Sequence, residues 1–322
     1  MDPETKKKRI VYILVGIVVL SVIAMLSGLP GAPDRPLSVA RGDAIGVIYI
    51  EGPFYGGRST SSVFGSSLGS DNVMAYLRQA QTDPSIKAVV LRMNSPGGSP
   101  AAADEIALQV RKLRQSGKVV VTSMGDMAAS GAYWIASGTD KIWASQSTIT
   151  GSIGVVWELV RVEELYRKLG IEVDVIKSGP HKDIGSSVRD MQEEERQILQ
   201  DLVDDVFEQF VTQIVEGRDM QRQDVIKLAD GRIFSGRQAH ELGLVDELGN
   251  FDDAVRDAAR LSGLSAWHIK EYGRLSPLER LLAGQVRAPE LPGAQELTGN
   301  RVLDIAWILR QMLMIPSSQP TK

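Results

Sequence analysis

The sequence predicts an α/β layer architecture, on three observations. Short apolar runs rich in Val and Ile alternate with amphipathic segments of helical period. The stretches between them carry Gly, Pro, Ser and Asp, the residues that turn a chain. The composition, 43% hydrophobic and 24% charged over 322 residues, is that of a folded protein with room for one large domain or two small ones. Net charge is −4 with mixed signs, which gives no electrostatic case for nucleic acid. Cysteine is absent, excluding disulfides, thiolate nucleophiles and a lipidated cysteine. The three histidines (His181, His240 and His268) make no metal-ligand spacing, so neither a metal nor another cofactor is expected.

Taken in order, residues 1–9 end in the basic "KKKR" and precede "IVYILVGIVVLSVIAMLSGL", 10–29, which carries no charge. That is the length of a transmembrane helix, and "LSGLPGAP" matches a signal-peptidase site poorly, so an uncleaved anchor is expected. The basic cluster keeps the N-terminus cytoplasmic, placing the rest of the chain outside the cytoplasm. Residues 30–43 hold three prolines and read as a linker. The folded part starts with a buried strand over 44–50. Residues 55–70, rich in Gly and Ser, read as a loop, followed by a helix over 72–81 and the strand "IKAVVLRMN". "SPGGSPAAADEIALQVRKLRQSG" gives a glycine turn and a helix, and "KVVVTSM" a third strand. "KIWAS", "SIGVV" and "IEVDVIK" are further strand candidates; "LVRVEELYRKLG", 191–215 and "FDDAVRDAARLSG" are helical, and "GRIFSGRQAHELGLVDELG" is a turn, helix and short strand. No internal duplication is present. These elements set one folded domain over 44–264 and a less regular C-terminal extension over 265–322, with an apolar helical segment at 301–314.

Two stretches could carry chemistry. In "MNSPGGSP", Gly97 and Gly98 sit between a strand and a helix, where exposed N–H groups could hold a developing oxyanion; a plain strand-to-helix turn fits equally. In "GDMAASGAYWIAS", Ser130 follows a strand and opens a helix. Its small neighbours could give a peptide access to the hydroxyl, or could serve only tight helix–strand contact, with Tyr133 and Trp134 anchoring the helix in the core. The stretch does not match the G-x-S-x-G elbow. A serine nucleophile needs a base. "KSGPHKDIGSS" offers His181 with Asp183 nearby, and also Lys177 and Lys182, which could act if burial lowered their pKa. The residues alone leave that choice open.

"LRMNSPGGSP", "GDMAASGAYWIAS", "TGSIGVV" and "KSGPHKDIGS" occur in the order and at about the spacing of the SppA-type signal peptide peptidases, and the resemblance runs from about Ala44 to Ala258. The single copy and N-terminal anchor resemble the short, single-domain form. The resemblance implies a ClpP/crotonase-like fold of repeated β-β-α units and a serine endopeptidase with a Ser–Lys dyad: nucleophile Ser130, general base Lys182, oxyanion hole at the Gly97 N–H, and Ser152 orienting the lysine. Lys177 would be structural. It further implies peptide substrates such as remnant signal peptides, and homo-oligomeric rings whose adjacent subunits complete the binding groove. One departure is local: "SSVRD" stands where many such proteins have a proline soon after the lysine block. The alternatives are a Ser–Lys membrane protease of the same fold with a narrow target such as a stomatin-like protein, a crotonase-like acyl-CoA enzyme, and a non-catalytic scaffold.

Overall fold

The computed structural model describes residues 42–62 and 65–273, a mixed α/β unit. The expected basic segment and anchor at 1–29, nearly all of the linker and the extension from residue 274 lie outside the described residues. Among the described residues, no helix is long and apolar enough to cross a membrane.

The sheet is built on strands β1 (Ala44–Glu51), β5 (Ile86–Ser95) and β6 (Val119–Ala129), whose Val- and Ile-rich runs pair in parallel at its centre. Its order is β10-β7-β6-β5-β1-β11, with β7 (Lys141–Ala144), β10 (Glu247–Leu248) and β11 (His268–Tyr272) also parallel to their neighbours. A parallel sheet must be covered on both faces, and the period-2 alternation of the strands shows how this is done. Ile45, Val47, Ala88, Val90 and Val121 face Ala254, Val255 and Ala258 of helix α8 (Phe251–Leu261). Ile48, Ile50, Val89, Leu91 and Met93 face the opposite layer, with Val73 and Leu77 of α1 (Ser70–Thr82) and Ile106 and Val110 of α2 (Pro100–Gln115). Because β11 pairs with β1, the sheet extends past residue 264.

Beyond β6 come α3 (Gly131–Ser137) and β8 (Ile149–Gly151), which pairs in parallel with the last three residues of β6. After β8 the chain leaves the sheet through α4 (Glu163–Lys168) and returns as α5 (Glu193–Arg218), a 26-residue helix. α6 (Arg222–Leu228), β9 (Ile233–Ser235) and α7 (Gly236–Glu241) follow, with β9 antiparallel to β8.

Three local expectations are corrected. The Gly/Ser-rich stretch at 55–70 is not all loop: β3 (Thr60–Ser62) and β4 (Gly65–Gly69) lie in it, and with β2 (Phe54–Tyr55) they form a small second sheet. Short polar strands give little hydrophobic alternation, so composition hid them. The strand expected over "SIGVV", 152–156, does not form: β8 lies just before it and ends at Gly151, where Ser152 turns the chain with a φ of 50°. "IEVDVIK" alternates but forms no described strand, and all seven residues are exposed. Alternation makes a strand only where a sheet edge is there to pair with it.

α5 meets α3 at Gly217, where a Cβ would lie 2.1 Å from the Ser137 carbonyl oxygen. On a solvent-facing helix surface Gly→Ala stabilises by roughly 0.5–1 kcal/mol. Here Gly217→Ala is expected to destabilise by about 1–3 kcal/mol, because backbone must move apart. Urea unfolding checks the sign, and a stabilised variant would show that the helices do not meet there.

Candidate active site

The Gly97–Gly98 turn and Ser130 stand at the carboxyl ends of adjacent parallel strands, β5 and β6, the edge at which open parallel sheets present their sites. β2 fixes the glycine turn from one side: Phe54 N–H donates to Gly97 O at 3.2 Å, and Ser99 N–H donates to Phe54 O at 3.1 Å. The start of α3 closes it from the other. A Cβ on Gly97 would come within 2.8 Å of Gly131 N, and one on Gly98 within 1.9 Å of Phe54 O. Gly97 also has a φ of 106°, which side chains rarely adopt. Only glycine lets these two backbone segments touch.

Ser130 itself has φ 55° and ψ −126°, a conformation disfavoured for residues with a Cβ and worth about 1–3 kcal/mol of strain. It is held there by bonds on both sides: its N–H donates to Gly151 O at 2.8 Å, and its carbonyl accepts from Trp134 N–H at 3.0 Å. The helix behind it is anchored by its aromatics. The Tyr133 hydroxyl, fully buried, donates to Leu244 O at 2.8 Å, and Trp134 stacks on Phe210 of α5 with centroids 4.9 Å apart. The small residues around Ser130 do not open space for a ligand. Ala128, Ala129, Gly131 and Ala132 are all buried. A Cβ on Gly131 would lie 3.2 Å from Phe54 and 3.4 Å from Ala103 of α2, so smallness serves close packing.

Space for a ligand lies on the other side. A cavity of about 440 Å³ is lined by Ser130 and Ser152, by the apolar Val155, Val156, Val203, Phe207 and Ala229, and by Asp204 and Asp230. The structure thus brings Ser130 and Ser152 to one cavity. Neither hydroxyl has a hydrogen-bond partner among the described residues. The Gly97 N–H is engaged, donating to Ser95 Oγ at 3.1 Å, and that hydroxyl donates to Gly52 O. The N–H groups of Gly98, in the same turn, and of Gly131, a donor that sequence reasoning passed over, meet no acceptor among the described residues. The signal was available, since Gly131 directly follows the proposed nucleophile at a helix start.

Lys182 is not brought into this cavity. Its side chain is exposed and makes no hydrogen bond or ion pair with a described residue. It rides on a turn whose Asp183 is bound to Arg189, which in turn binds Glu195 in the first turn of α5. Glu195 lies eight residues before Val203 of the cavity wall, about 12 Å of helix. His181 makes no contact with Ser130 either; its Nε2 is 3.7 Å from Glu194. Lys177 is fully engaged, donating to Pro180 O at 2.8 Å and to Asp183 at 2.7 Å.

Residues 112–265 match peptidase family S49, a span that contains Ser130, Ser152 and Lys182 but begins after Gly97. The chain carries a peptidase family S49 domain. It is 38% identical over 231 residues to Protease 4 of Salmonella typhi, 36% over 229 residues to Protease 4 of Haemophilus influenzae, and 29% over 238 residues to the chloroplastic serine protease SPPA of Arabidopsis thaliana. These alignments cover 72%, 71% and 74% of this chain, but only 37%, 36% and 34% of those proteins. The chain therefore spans about a third of the length of each.

In the S49 domain the segment after the cavity is tied down by charge. The Arg189 guanidinium donates to both Asp183 oxygens at 2.8 Å and to both Glu195 oxygens, at 2.8 and 2.5 Å. Glu195 is only 1% exposed and also accepts from Gln192 N–H as half of a capping box. The Arg189 bonds, then the Gln192 N–H, lower the Glu195 carboxyl from 4.5 to about 2. Arg189, then Lys177, holds Asp183 well below the usual carboxylate range. A depressed pKa means that the unfolded state takes up protons first as pH falls. The stabilisation from Glu195 is thus complete above about 4.5 and lost as pH drops toward about 2. Urea unfolding of wild type and Glu195→Gln is expected to show a stability gap at pH 7 that narrows through this window; a gap independent of pH would contradict the assignment.

Proposed function

We propose that this chain is a membrane-anchored serine endopeptidase using a Ser130–Lys182 dyad on a ClpP/crotonase-like fold. The observation that carries the reading is Ser130: a hydroxyl on a strained backbone, at a cavity beside two backbone N–H groups, all three without a partner among the described residues. Strain of this kind persists where the surroundings over-determine it, as they do here, and concentrates at sites of chemistry. The S49 match and the serine protease named among the relatives support the same reaction class.

In this mechanism Ser130 Oγ attacks the carbonyl carbon of the scissile peptide while its proton passes to the neutral Lys182 amine. The oxyanion is held by N–H groups at the Gly97–Gly98 turn and at Gly131; the Gly97 N–H joins by leaving Ser95 Oγ. Collapse expels the amine product, which takes the proton from Lys182 and leaves an acyl group on Ser130. Water then loses a proton to Lys182 and attacks the acyl carbon; collapse breaks the C–Oγ bond, Ser130 Oγ takes that proton from Lys182, and the carboxylate product leaves. Ser152, at the same cavity, accepts a hydrogen bond from an N–H of the neutral lysine amine, leaving the amine lone pair aimed at Ser130. No cofactor enters any step.

We assign Lys182 to the Ser130 of a neighbouring copy in a homo-oligomer. The lysine is exposed, and its turn is anchored well along α5 from the cavity. The segment between also exposes a run of apolar side chains, with Val156 at 88% and Val160 at 66%, and Trp157, Leu165 and Leu169 among the others. So many exposed apolar side chains within one segment suit an interface. The apolar cavity walls suit apolar peptides, and an anchor at residues 10–29 would hold the extracytoplasmic site where remnant signal peptides accumulate.

The test uses the full chain in detergent with a synthetic signal peptide, read by mass spectrometry. Ser130→Ala and Lys182→Ala are each expected to lose at least about 10³-fold in rate. The two variants co-assembled are expected to recover activity, because mixed neighbours restore one intact pair. Full activity in folded Ser130→Ala would sink the reading. Absence of recovery in verified mixed oligomers would place both residues of the dyad in one chain.

A further inference from the structure

The turn that carries Lys182 is held far more firmly than an exposed lysine requires. Lys177 Nζ spans it, bonding Pro180 O before Lys182 and Asp183 Oδ1 after it. Lys182 N–H donates to Gly179 O at 3.3 Å and Ile184 N–H to His181 O at 3.1 Å, closing the turn itself. Asp183, the next residue, is gripped by both arms of Arg189, which also reaches the Asp183 carbonyl at 3.2 Å. Arg189 transfers that grip to Glu195, a buried carboxylate in the first turn of α5. A fork bonded to two carboxylates has one workable geometry, unlike a point charge. Placing a carboxylate out of water is unfavourable unless it is paired, so the arrangement is built around Arg189. In this stretch of interlocked side chains Lys182 is the cation left without a partner among the described residues.

The same helix reaches the nucleophile. Phe210 of α5 stacks on Trp134, four residues after Ser130, while Glu195 of α5 holds the lysine turn. Each α5 therefore positions the Ser130 of its own chain and the Lys182 turn that the chain offers to its neighbour.

We propose that Arg189 is a positioning residue for catalysis: through Asp183 and Glu195 it orients the Lys182 turn on α5, so that the amine meets the Ser130 of the neighbouring copy at bonding distance. The inference rests on the dyad reading above. It follows that loosening the fork should impair the chemical step and leave peptide binding nearly untouched, since none of the residues lining the cavity is bonded to the fork. Misplacement of a reacting group by about 1 Å can cost on the order of 10²-fold in rate.

The experiment measures kcat and KM at pH 7 with the full-length protein for wild type, Arg189→Lys, Arg189→Gln, Glu195→Gln and Lys182→Ala, with folding and assembly checked by circular dichroism and light scattering. Arg189→Lys keeps the charge but loses the fork, and is expected to lower kcat at least about 10-fold with KM within about 2-fold. Arg189→Gln and Glu195→Gln should follow, and added methylguanidinium should restore part of the kcat of Arg189→Gln. If Arg189→Gln fails to fold, Arg189→Lys and Glu195→Gln decide by the same criterion. Wild-type kcat in these variants, with Lys182→Ala inactive, overturns the positioning role and leaves the dyad standing. A fully active Lys182→Ala instead removes the dyad, and the proposal with it. A fall in kcat that only tracks the folded fraction, or a rise in KM alone, also overturns it.

Discussion

The contact on which the rest of this structure depends is between two stretches of backbone, the Gly97–Gly98 turn and the start of α3. It brings the ends of β5 and β6 close enough for Ser130 to stand beside the Gly98 and Gly131 N–H groups, which meet no acceptor among the described residues, and it leaves no room for a methyl group at Gly97 or Gly98. The small residues before and after Ser130 exist for this approach. Their burial also explains why Ser130 can be kept in a left-handed conformation: β8, α2, Phe54 and the Tyr133 and Trp134 anchors each fix one side of it. Strain at one residue is tolerable when many weaker contacts must break to release it.

The second constraint is the length of α5. A helix of 26 residues is about 39 Å long, enough to link the core beneath the nucleophile with a segment well outside it. Its inner part is apolar, with Phe210, Val211 and Ile214 buried, and its first turn holds the buried Glu195. Packing therefore governs one end and ion pairing the other. The two differ in what disturbs them: the apolar end responds to volume changes, the charged end to acid.

How much of this was legible in the sequence follows from the range of the interactions. β1, β5 and β6 were readable, because a strand buried on both faces is an uninterrupted apolar run. α8 was readable from its apolar spacing, though its Asn250 cap was not read. β11 was not. "HIKEY" is a half-exposed edge strand whose pairing with β1 spans more than two hundred residues, and nothing local announces it. The strand expected at 171–177 failed for the converse reason, having the alternation without a partner. At the site, Ser130 and the glycine turn stood out as unusual local composition. The cavity wall from Val203 and Phe207 did not, since those side chains look like any apolar stripe of a helix. The Arg189 fork was legible only in part: Gln192-x-x-Glu195 marks a capping box, but that the same carboxylate pairs with Arg189 depends on the fold of the turn between.

The central claim is that the strained, unpartnered Ser130 hydroxyl is the nucleophile. The most direct measurement is labelling of the full chain with a fluorophosphonate, followed by proteolysis and mass spectrometry to locate the adduct. One phosphonylated serine, Ser130, is expected, forming in step with the loss of peptidase activity while Ser152 and Ser95 stay unlabelled. Complete loss of activity with the adduct on another serine, or undiminished activity with Ser130 fully labelled, would contradict the account.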